Sequence, residues 1–185
     1  MEYEALERVL GHTFQNRALL ETALTHTSFA NEARHGTKHN ERLEFLGDSV
    51  LSIVVAEYLF THSSLPEGDL TRMRASLVCE AALFGFAQKI DLGRWLRLGH
   101  GEELGGGRTR PSVVSDAFEA VIAALYLDGG IEAARAFILP FVTSALTKQS
   151  AEEDYKTKLQ EIVQQNPSER LRYVVASQTG PDHDK

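Results

Sequence analysis

One stretch without proline, HNERLEFLGDSVLSIVVAEYLF at residues 39–60, constrains the fold more than any other part of the sequence. It consists mostly of helix-forming residues, and Asn40 is well placed to cap its start, so the stretch predicts a long helix. At about 100° per residue, Glu41, Glu44 and Asp48 fall within one narrow sector, and the same face becomes apolar further along. The helix must therefore bury apolar sides while accommodating three carboxylates between them.

Two interpretations of these carboxylates remain open from the helix alone. A solvated acidic stripe near a helix start, where the helix dipole favours acids, accounts for Glu41 and Glu44 but poorly for Asp48, two turns in. Alternatively, the acids bind a cation, because crowded ionised carboxylates are costly without a cation or strong donors. The core-facing side of this helix is predicted to comprise Leu43, Leu46, Val50, Ile53 and Val54.

A second acidic pair lies in PSVVSDAFEAVIAALYLDGG, at residues 111–130, which also predicts a helix, with Ser112 or Ser115 as a possible cap. Asp116 and Glu119 are three residues apart and share a helix face. If the two helices pack side by side, five carboxylates converge. The core side of the second helix is predicted to comprise Val121, Ile122 and Leu125.

Small residues mark places where these helices can approach each other. Ala120 and Ala123 lie near the acidic face of the second helix. Gly47 in mid-helix costs about 1 kcal/mol relative to alanine, which a close contact with a crossing helix would justify. Phe45 flanks the acids and is either a core residue or an anchor into another subunit.

The ligand chemistry of this arrangement favours magnesium or manganese, which prefer octahedral shells of oxygen. The sequence has no cluster of His and Cys at zinc spacing and no glycine-rich phosphate loop followed by lysine. The formal net charge of −7 gives no basic field for nucleic acid, but two divalent ions would change it to −7 + 4 = −3.

The first 145 or so residues are predicted to be all-α. LGHGEELGGGRTRPS at 98–112 predicts a loop that either needs unusual backbone angles or is a plain surface loop. TKQSAEED at 147–154 predicts a linker, followed by a helix in YKTKLQEIVQQN and a strand in ERLRYVVAS. The predicted helices are 2–10, 16–25, 40–61, 67–78, 79–89, 112–127 and 130–147.

The sequence predicts a protein of a reducing, cytoplasmic compartment. Cys79 is the one cysteine, so no disulfide can form within the chain. The N-terminus lacks a signal-peptide pattern, and no apolar run is long enough for a membrane span.

The stretch NERLEFLGDSVL resembles the signature of ribonuclease III, the endonuclease that cleaves double-stranded RNA. The stretches LTHTSFANE, EGDLTRMRASLV, GRWLRLGHGEE and DAFEAVIAALYLDGG resemble the family's other blocks, in the family's order. The resemblance implies an all-α endonuclease domain over residues 1–147. After a linker at 148–153, residues 154–185 resemble the first half of an α+β double-stranded-RNA-binding domain, without its basic second helix and later strands.

The resemblance also implies a role for each acid. Asp48 matches the family's acidic catalytic residue, and Glu119 shares that duty. Glu41 and Glu67 match auxiliary acids near the site. All the core carboxylates are present, which favours an active enzyme. The residues implied to hold metal are Glu44, Asp48, Asp116 and Glu119.

Contacts with a second subunit and with RNA are implied in the same way. Phe45 matches an aromatic residue that inserts into a socket on a dimer partner, with Gly47 at the seam. Arg108 and Arg110 are candidates for phosphate contacts because the glycine-rich loop carries them; otherwise they are surface charges or ion-paired. The implied RNA-reading residues of the tail are Thr157, Gln160, Glu161, Gln164 and His183.

The function implied by the resemblance is magnesium-dependent hydrolysis of double-stranded RNA, with manganese as a substitute, leaving 5′-phosphate and 3′-hydroxyl ends. Processing of rRNA and mRNA is the implied cellular role. A two-fold homodimer would place one site near each strand. Two alternatives stay open: an all-α magnesium-dependent nucleotide pyrophosphohydrolase, and a non-cleaving RNA-binding relative, which the loss of a carboxylate would favour.

Overall fold

A computed structural model describes residues 3–33 and 36–164, with side chains described as far as residue 148. This part of the chain is helical, and its strand-type pairing is an isolated bridge between Thr25 and Arg97. Short 3-10 helices occupy Leu92–Trp95 and Gly107–Thr109. The α-helices are α1 (Glu4–Leu10), α2 (Arg17–Ala23), α3 (Thr27–Glu32), α4 (Glu41–His62), α5 (Glu67–Val78), α6 (Glu80–Lys89), α7 (His100–Leu104) and α8 (Pro111–Gln164).

The predicted all-α architecture is confirmed, but two short helices were missed. α3 has 6 residues and α7 has 5, so neither is long enough to show a helical period of apolar residues. The predicted loop at 98–112 therefore contains α7 and a 3-10 turn.

The predicted helix caps are partly wrong. Asn40 does occupy the N-cap position of α4, but its side chain makes no capping hydrogen bond. α8 begins at Pro111, whose missing N–H suits the first turn of a helix. Ser112 and Ser115 consequently lie inside α8, where the Ser115 hydroxyl donates to the Ser112 carbonyl over 3.0 Å.

α8 is interrupted at Gly130, which has φ 74° and ψ −174°. Glycine adopts this backbone conformation readily, whereas residues with a Cβ atom rarely do. This interruption corresponds to the predicted gap between two helices. The backbone is helical again as far as Gln164, so residues 148–153 continue a helix where a linker was predicted.

The chain divides into two compact units, Met1–Ala145 and Leu146–Lys185. The predicted strand in ERLRYVVAS lies outside the described residues. The assignment of 1–147 to a catalytic domain and of 154–185 to part of an RNA-binding domain stays a prediction.

The core of the first unit is built around α4 and the first half of α8. On α4 the buried arc runs from about 180° round to 0°, counted from Glu41, so it extends towards the acids rather than away from them. The prediction that Ile53 belongs to the core is therefore wrong, because Ile53 lies outside this arc and is 58% exposed. The buried residues of α4 are Leu43, Gly47, Val50, Leu51, Val54, Val55 and Leu59.

Residues 113–125, in the first half of α8, are buried or half-buried on every side, as a central helix should be. The predicted core residues Val121, Ile122 and Leu125 are all fully buried. The alanines beside them, Ala120, Ala123 and Ala124, are fully buried as well. Phe118 is fully buried in an aromatic cluster, with ring centroids 5.2 Å from Phe137. This packing fixes the helix that carries the second acidic pair.

Asp128 ties the end of that half of α8 to the segment after α1. Its carboxylate accepts hydrogen bonds from the Asn16 backbone N–H at 2.8 Å and the Gln15 backbone N–H at 2.9 Å, and it lies 2.8 Å from Nε2 of His12. Burial raises the pKa of Asp128, but these hydrogen bonds outweigh it, so the pKa lies below its usual range. No helix within the described ranges has the length and hydropathy needed to cross a membrane.

Candidate metal centre

Three carboxylates from two helices converge at one point of the first unit. α4 supplies Glu44, and α8 supplies Asp116 and Glu119. One oxygen of each lies within 4.8 Å of the others, and each side chain is half-buried. Among the described residues, these three form the group of His, Cys, Asp and Glu side chains that is arranged to hold a metal ion.

The close crossing of α4 and α8 brings the three acids together. Gly47 packs against the backbone of Glu119, and a Cβ atom at position 47 would lie 1.8 Å from the Glu119 carbonyl oxygen. The predicted close helix contact at Gly47 is thus confirmed. It is a contact within one subunit, in which Gly47 is buried. The predicted place of Gly47 at a dimer seam stays a prediction.

Burial and neighbouring negative charges raise the pKa of each of the three acids of the cluster. Burial, followed by the negative charges of Asp48, Glu44 and Asp116, raises the pKa of Glu119 to about 8. Burial also raises the pKa of Glu44, helped mainly by the charge of Asp116. Burial and then the charge of Glu80 raise the pKa of Asp116. A divalent cation would offset the repulsion between these carboxylates and lower their pKa values.

The remaining predicted acids surround the cluster at different distances. Asp48 is exposed and lies outside the three-carboxylate group, yet its charge raises the pKa of both Glu119 and Glu44. Glu41 is also exposed, and its charge acts on Glu44. Glu67 is exposed at the start of α5, where it accepts a hydrogen bond from the Thr71 hydroxyl at 2.8 Å. In this subunit Glu67 is not part of the cluster.

Two residues near Asp116 were missed by the sequence analysis. Glu80 begins α6, and its charge raises the pKa of Asp116. His26, the N-cap of α3, lowers that pKa. Its Nδ1 accepts from the Ser28 backbone N–H at 3.2 Å, so in the neutral ring Nε2 carries the proton. Neither residue shares a helix with the acids, so no periodic signal could have found them.

The glycine-rich segment is held together by its own arginines. The Arg108 guanidinium donates to the carbonyls of Gly93 at 3.1 Å, Arg94 at 3.0 Å and Leu96 at 2.8 Å, and its Nε donates to Glu103 at 2.6 Å. The hydrogen bond from Arg108, followed by the charge of its guanidinium, lowers the pKa of Glu103. Arg108 therefore has a structural role through its Nε and Nη1 atoms, and its predicted phosphate contact stays a prediction.

Arg110 is engaged in the same segment. It forms an ion pair with Glu102 at 2.5 Å and donates to the Gly105 carbonyl at 3.0 Å. An RNA contact by Arg110 would have to compete with these bonds, and it stays a prediction.

An apolar stripe is exposed along α4, on the side away from the core. Phe45 is 79% exposed, and Ile53 and Phe60 follow it on the same face. Phe45 is therefore not a core residue, which leaves its predicted role as an anchor into another subunit. Exposed apolar side chains aligned along a helix are typical of protein contact surfaces.

The predicted RNA-reading positions of the tail are not described at the level of side chains. Residues 157–164 are helical in backbone, as predicted. His183 lies outside the described residues. The roles predicted for Thr157, Gln160, Glu161, Gln164 and His183 stay predictions.

Comparison with known proteins places these observations in a family context. A family model described as Ribonuclease-III-like matches residues 16–146. Ribonuclease 3 of Desulforamulus reducens is 49% identical over 185 residues, covering 97% of this chain and 75% of that protein. Ribonuclease 3 of Caldanaerobacter subterraneus subsp. tengcongensis is 47% identical over 184 residues, covering 97% of this chain and 81% of that protein.

Solved structures of ribonuclease III nuclease domains have a fold similar to that of this chain. A nuclease domain of ribonuclease III from Campylobacter jejuni, studied for structural flexibility in a region involved in dimer formation, superposes with a TM-score of 0.71 at 42% identity. The alignment covers 77% of this chain and 96% of that domain. A second structure of the same nuclease domain gives a TM-score of 0.68 at 39% identity.

Proposed function

This chain belongs to the ribonuclease III family, and from that premise we propose that it hydrolyses double-stranded RNA at a divalent-metal site formed by Glu44, Asp116 and Glu119. As a member of the family it is an endoribonuclease. The observation that carries the metal assignment is the convergence of three half-buried carboxylates whose oxygens lie within 4.8 Å of each other. Carboxylate oxygens with raised pKa values fit a hard divalent cation, since binding replaces a proton by a stronger positive charge.

Magnesium is the expected ion, with manganese as a substitute, because all the ligands are oxygens. Divalent ions held by Glu44, Asp116 and Glu119 would supply positive charge that stabilises the phosphate oxygens during hydrolysis. Glu119 must lose its proton for the site to fill, since its pKa is about 8 without metal. Asp48 is exposed and lies outside the cluster, and its charge acts on both Glu44 and Glu119, so we assign to it the role of accepting a proton from the attacking water.

The products inferred for this reaction are ends with 5′-phosphate and 3′-hydroxyl groups, and the inferred role is the processing of rRNA and mRNA. Recognition of the duplex relies on shape and on 2′-hydroxyl and phosphate contacts. An exposed, unpaired Cys79 fits a reducing cytoplasm.

We also infer a homodimer that uses the exposed stripe of α4. Phe45, Ile53 and Phe60 together present apolar surface that a second copy of the chain would bury. Two-fold pairing would give each strand of a duplex its own site.

The test is incubation of the purified protein with long duplex RNA, single-stranded RNA of the same sequence, and nucleoside triphosphates, each with magnesium and with EDTA. Only the duplex should be cut, only with magnesium, and the products should carry a 5′-phosphate that permits direct ligation. Hydrolysis of triphosphates with intact RNA would instead favour the pyrophosphohydrolase alternative. Duplex binding without cleavage at any magnesium concentration would favour the non-cleaving alternative.

A further inference from the structure

We propose that Gly47 is a positioning residue that sets the spacing of the metal-binding carboxylates, an inference that rests on the proposed function. Gly47 lies three residues after Glu44 on α4. A Cβ atom at position 47 would lie 1.8 Å from the carbonyl oxygen, 2.5 Å from the carbonyl carbon and 3.1 Å from the Cα of Glu119. The two helices thus touch backbone to backbone at the residue that carries one of the three carboxylates.

The contact cannot be relieved by rotating a side chain, because all three neighbouring atoms belong to the backbone. Bringing the nearest pair to an ordinary contact of 3.4 Å requires a displacement of 3.4 − 1.8 = 1.6 Å. α8 is enclosed at this point, since Phe118, Ala120 and Val121 are all buried. A side chain at position 47 would therefore push α4, and Glu44 with it, away from the acids of α8.

A displacement of this size matters more for a small hard cation than for the fold. Magnesium binds oxygen at about 2.1 Å in a near-octahedral shell, which places ligand oxygens about 3 Å apart at adjacent positions and about 4.2 Å apart at opposite ones. The carboxylate oxygens lie within 4.8 Å of each other, so small side-chain rotations bring them into this range. A further 1.6 Å between the helices moves Glu44 out of reach.

A matched control exists in the same unit. Gly85 lies in the interior of α6, and a Cβ atom there would meet nothing within 4 Å. Alanine at position 85 adds the same methyl group to a helix without touching either site helix. Since alanine favours a helix interior over glycine, this variant should be at least as stable as the wild type.

The experiment compares wild type, Gly47→Ala and Gly85→Ala in three measurements. Mn²⁺ binding in the absence of RNA is followed by the electron paramagnetic resonance of free Mn²⁺. Thermal unfolding in EDTA is followed by circular dichroism. Cleavage of duplex RNA is measured as a function of metal concentration. We expect the Mn²⁺ dissociation constant of Gly47→Ala to rise by about tenfold or more. The metal concentration that half-saturates cleavage should rise to match, and the cleavage rate should partly recover at high metal. Gly85→Ala should match wild type in both metal readouts.

Unchanged Mn²⁺ affinity in a folded Gly47→Ala protein overturns the positioning role even if its melting temperature falls, because the glycine then serves packing alone. A Gly47→Ala protein that stays unfolded in concentrated sucrose also overturns it, since the crossing is then a requirement of the fold. A wild type that binds no Mn²⁺ contradicts the proposed function itself, and the positioning role falls with it.

Discussion

At the scale of single residues, Glu119 is the most strongly perturbed acid of the site. Burial, and then the charges of Asp48, Glu44 and Asp116, hold its pKa at about 8, whereas its value in an unfolded chain is 4.5. Between these two values the unfolded chain releases a proton that the folded protein retains. The unfolded state therefore gains relative stability as the pH rises from 4.5 towards 8, so the metal-free protein loses stability in that window.

Glu119→Gln should remove this loss. In EDTA the variant should melt a few degrees above wild type at pH 8, by a margin that shrinks as the pH falls and vanishes below pH 4.5. Magnesium should reverse the order, because it stabilises wild type and not the variant. Thermal unfolding of both proteins from pH 4 to about 9, with and without metal, measures this. A variant less stable than wild type in EDTA at pH 8 would contradict the assigned pKa.

Single residues were predicted from sequence where a helical period linked them. The acids of the cluster were identified because Glu44 shares a helix face with other acids on α4, and Asp116 shares one with Glu119 on α8. The contributions of His26 and Glu80 escaped prediction because tertiary packing brings other elements to Asp116.

At the scale of elements, the amino-acid composition of the glycine-rich segment between α6 and α8 predicted its backbone but not its side-chain contacts. Its glycines correctly predicted an irregular backbone, with Gly106 at φ 76°. They did not predict that Arg108 would bind three carbonyls from the preceding segment. A planar guanidinium can satisfy several backbone acceptors at once, and sequence alone does not show which acceptors will be near.

Arg108→Ala should therefore destabilise the protein by about 1–3 kcal/mol, because the bonds to three backbone carbonyls are lost together. The lysine variant should recover little of this, since one ammonium cannot reproduce the planar fork. The matched control is Arg72→Ala, because Arg72 is 78% exposed and pairs with Asp69 three residues away. Its cost should stay within about 0.5 kcal/mol. Chemical denaturation of the three variants decides this, and equal costs for Arg108→Ala and Arg72→Ala would refute the structural role.

At the scale of the whole molecule, the all-α architecture of residues 3–33 and 36–164 followed from sequence because long amphipathic helices dominate it. The sequence did not show which side of α4 faces the core, since both of its sides carry apolar residues. Packing against α8 selected the side that includes Leu51 and Val55, which left Ile53 and Phe45 exposed. The exposed stripe is the surface on which assembly is proposed.

Phe45→Ala should weaken the homodimer. Burying an aromatic side chain contributes about 1.5–3 kcal/mol per copy, so the dissociation constant should rise more than tenfold. Leu104→Ala is the matched control, because Leu104 is 76% exposed on α7 and lies off the α4 stripe. Analytical ultracentrifugation over a range of concentrations measures both variants. A wild type that is monomeric at micromolar concentration, or equal effects of the two variants, would contradict this assembly.

The most direct test of the central claim, that the carboxylate cluster binds the metal that drives RNA cleavage, is the rate of duplex RNA cleavage by Glu119→Gln across a range of magnesium concentrations. Glu132→Gln serves as the control, because Glu132 also lies in α8 and is 77% exposed. We predict that Glu119→Gln keeps the helical fold but that its cleavage rate falls by about a hundredfold or more. The cleavage rate of the control should stay close to that of wild type. Near-normal cleavage by a folded Glu119→Gln protein at moderate magnesium would contradict the assignment of the metal centre.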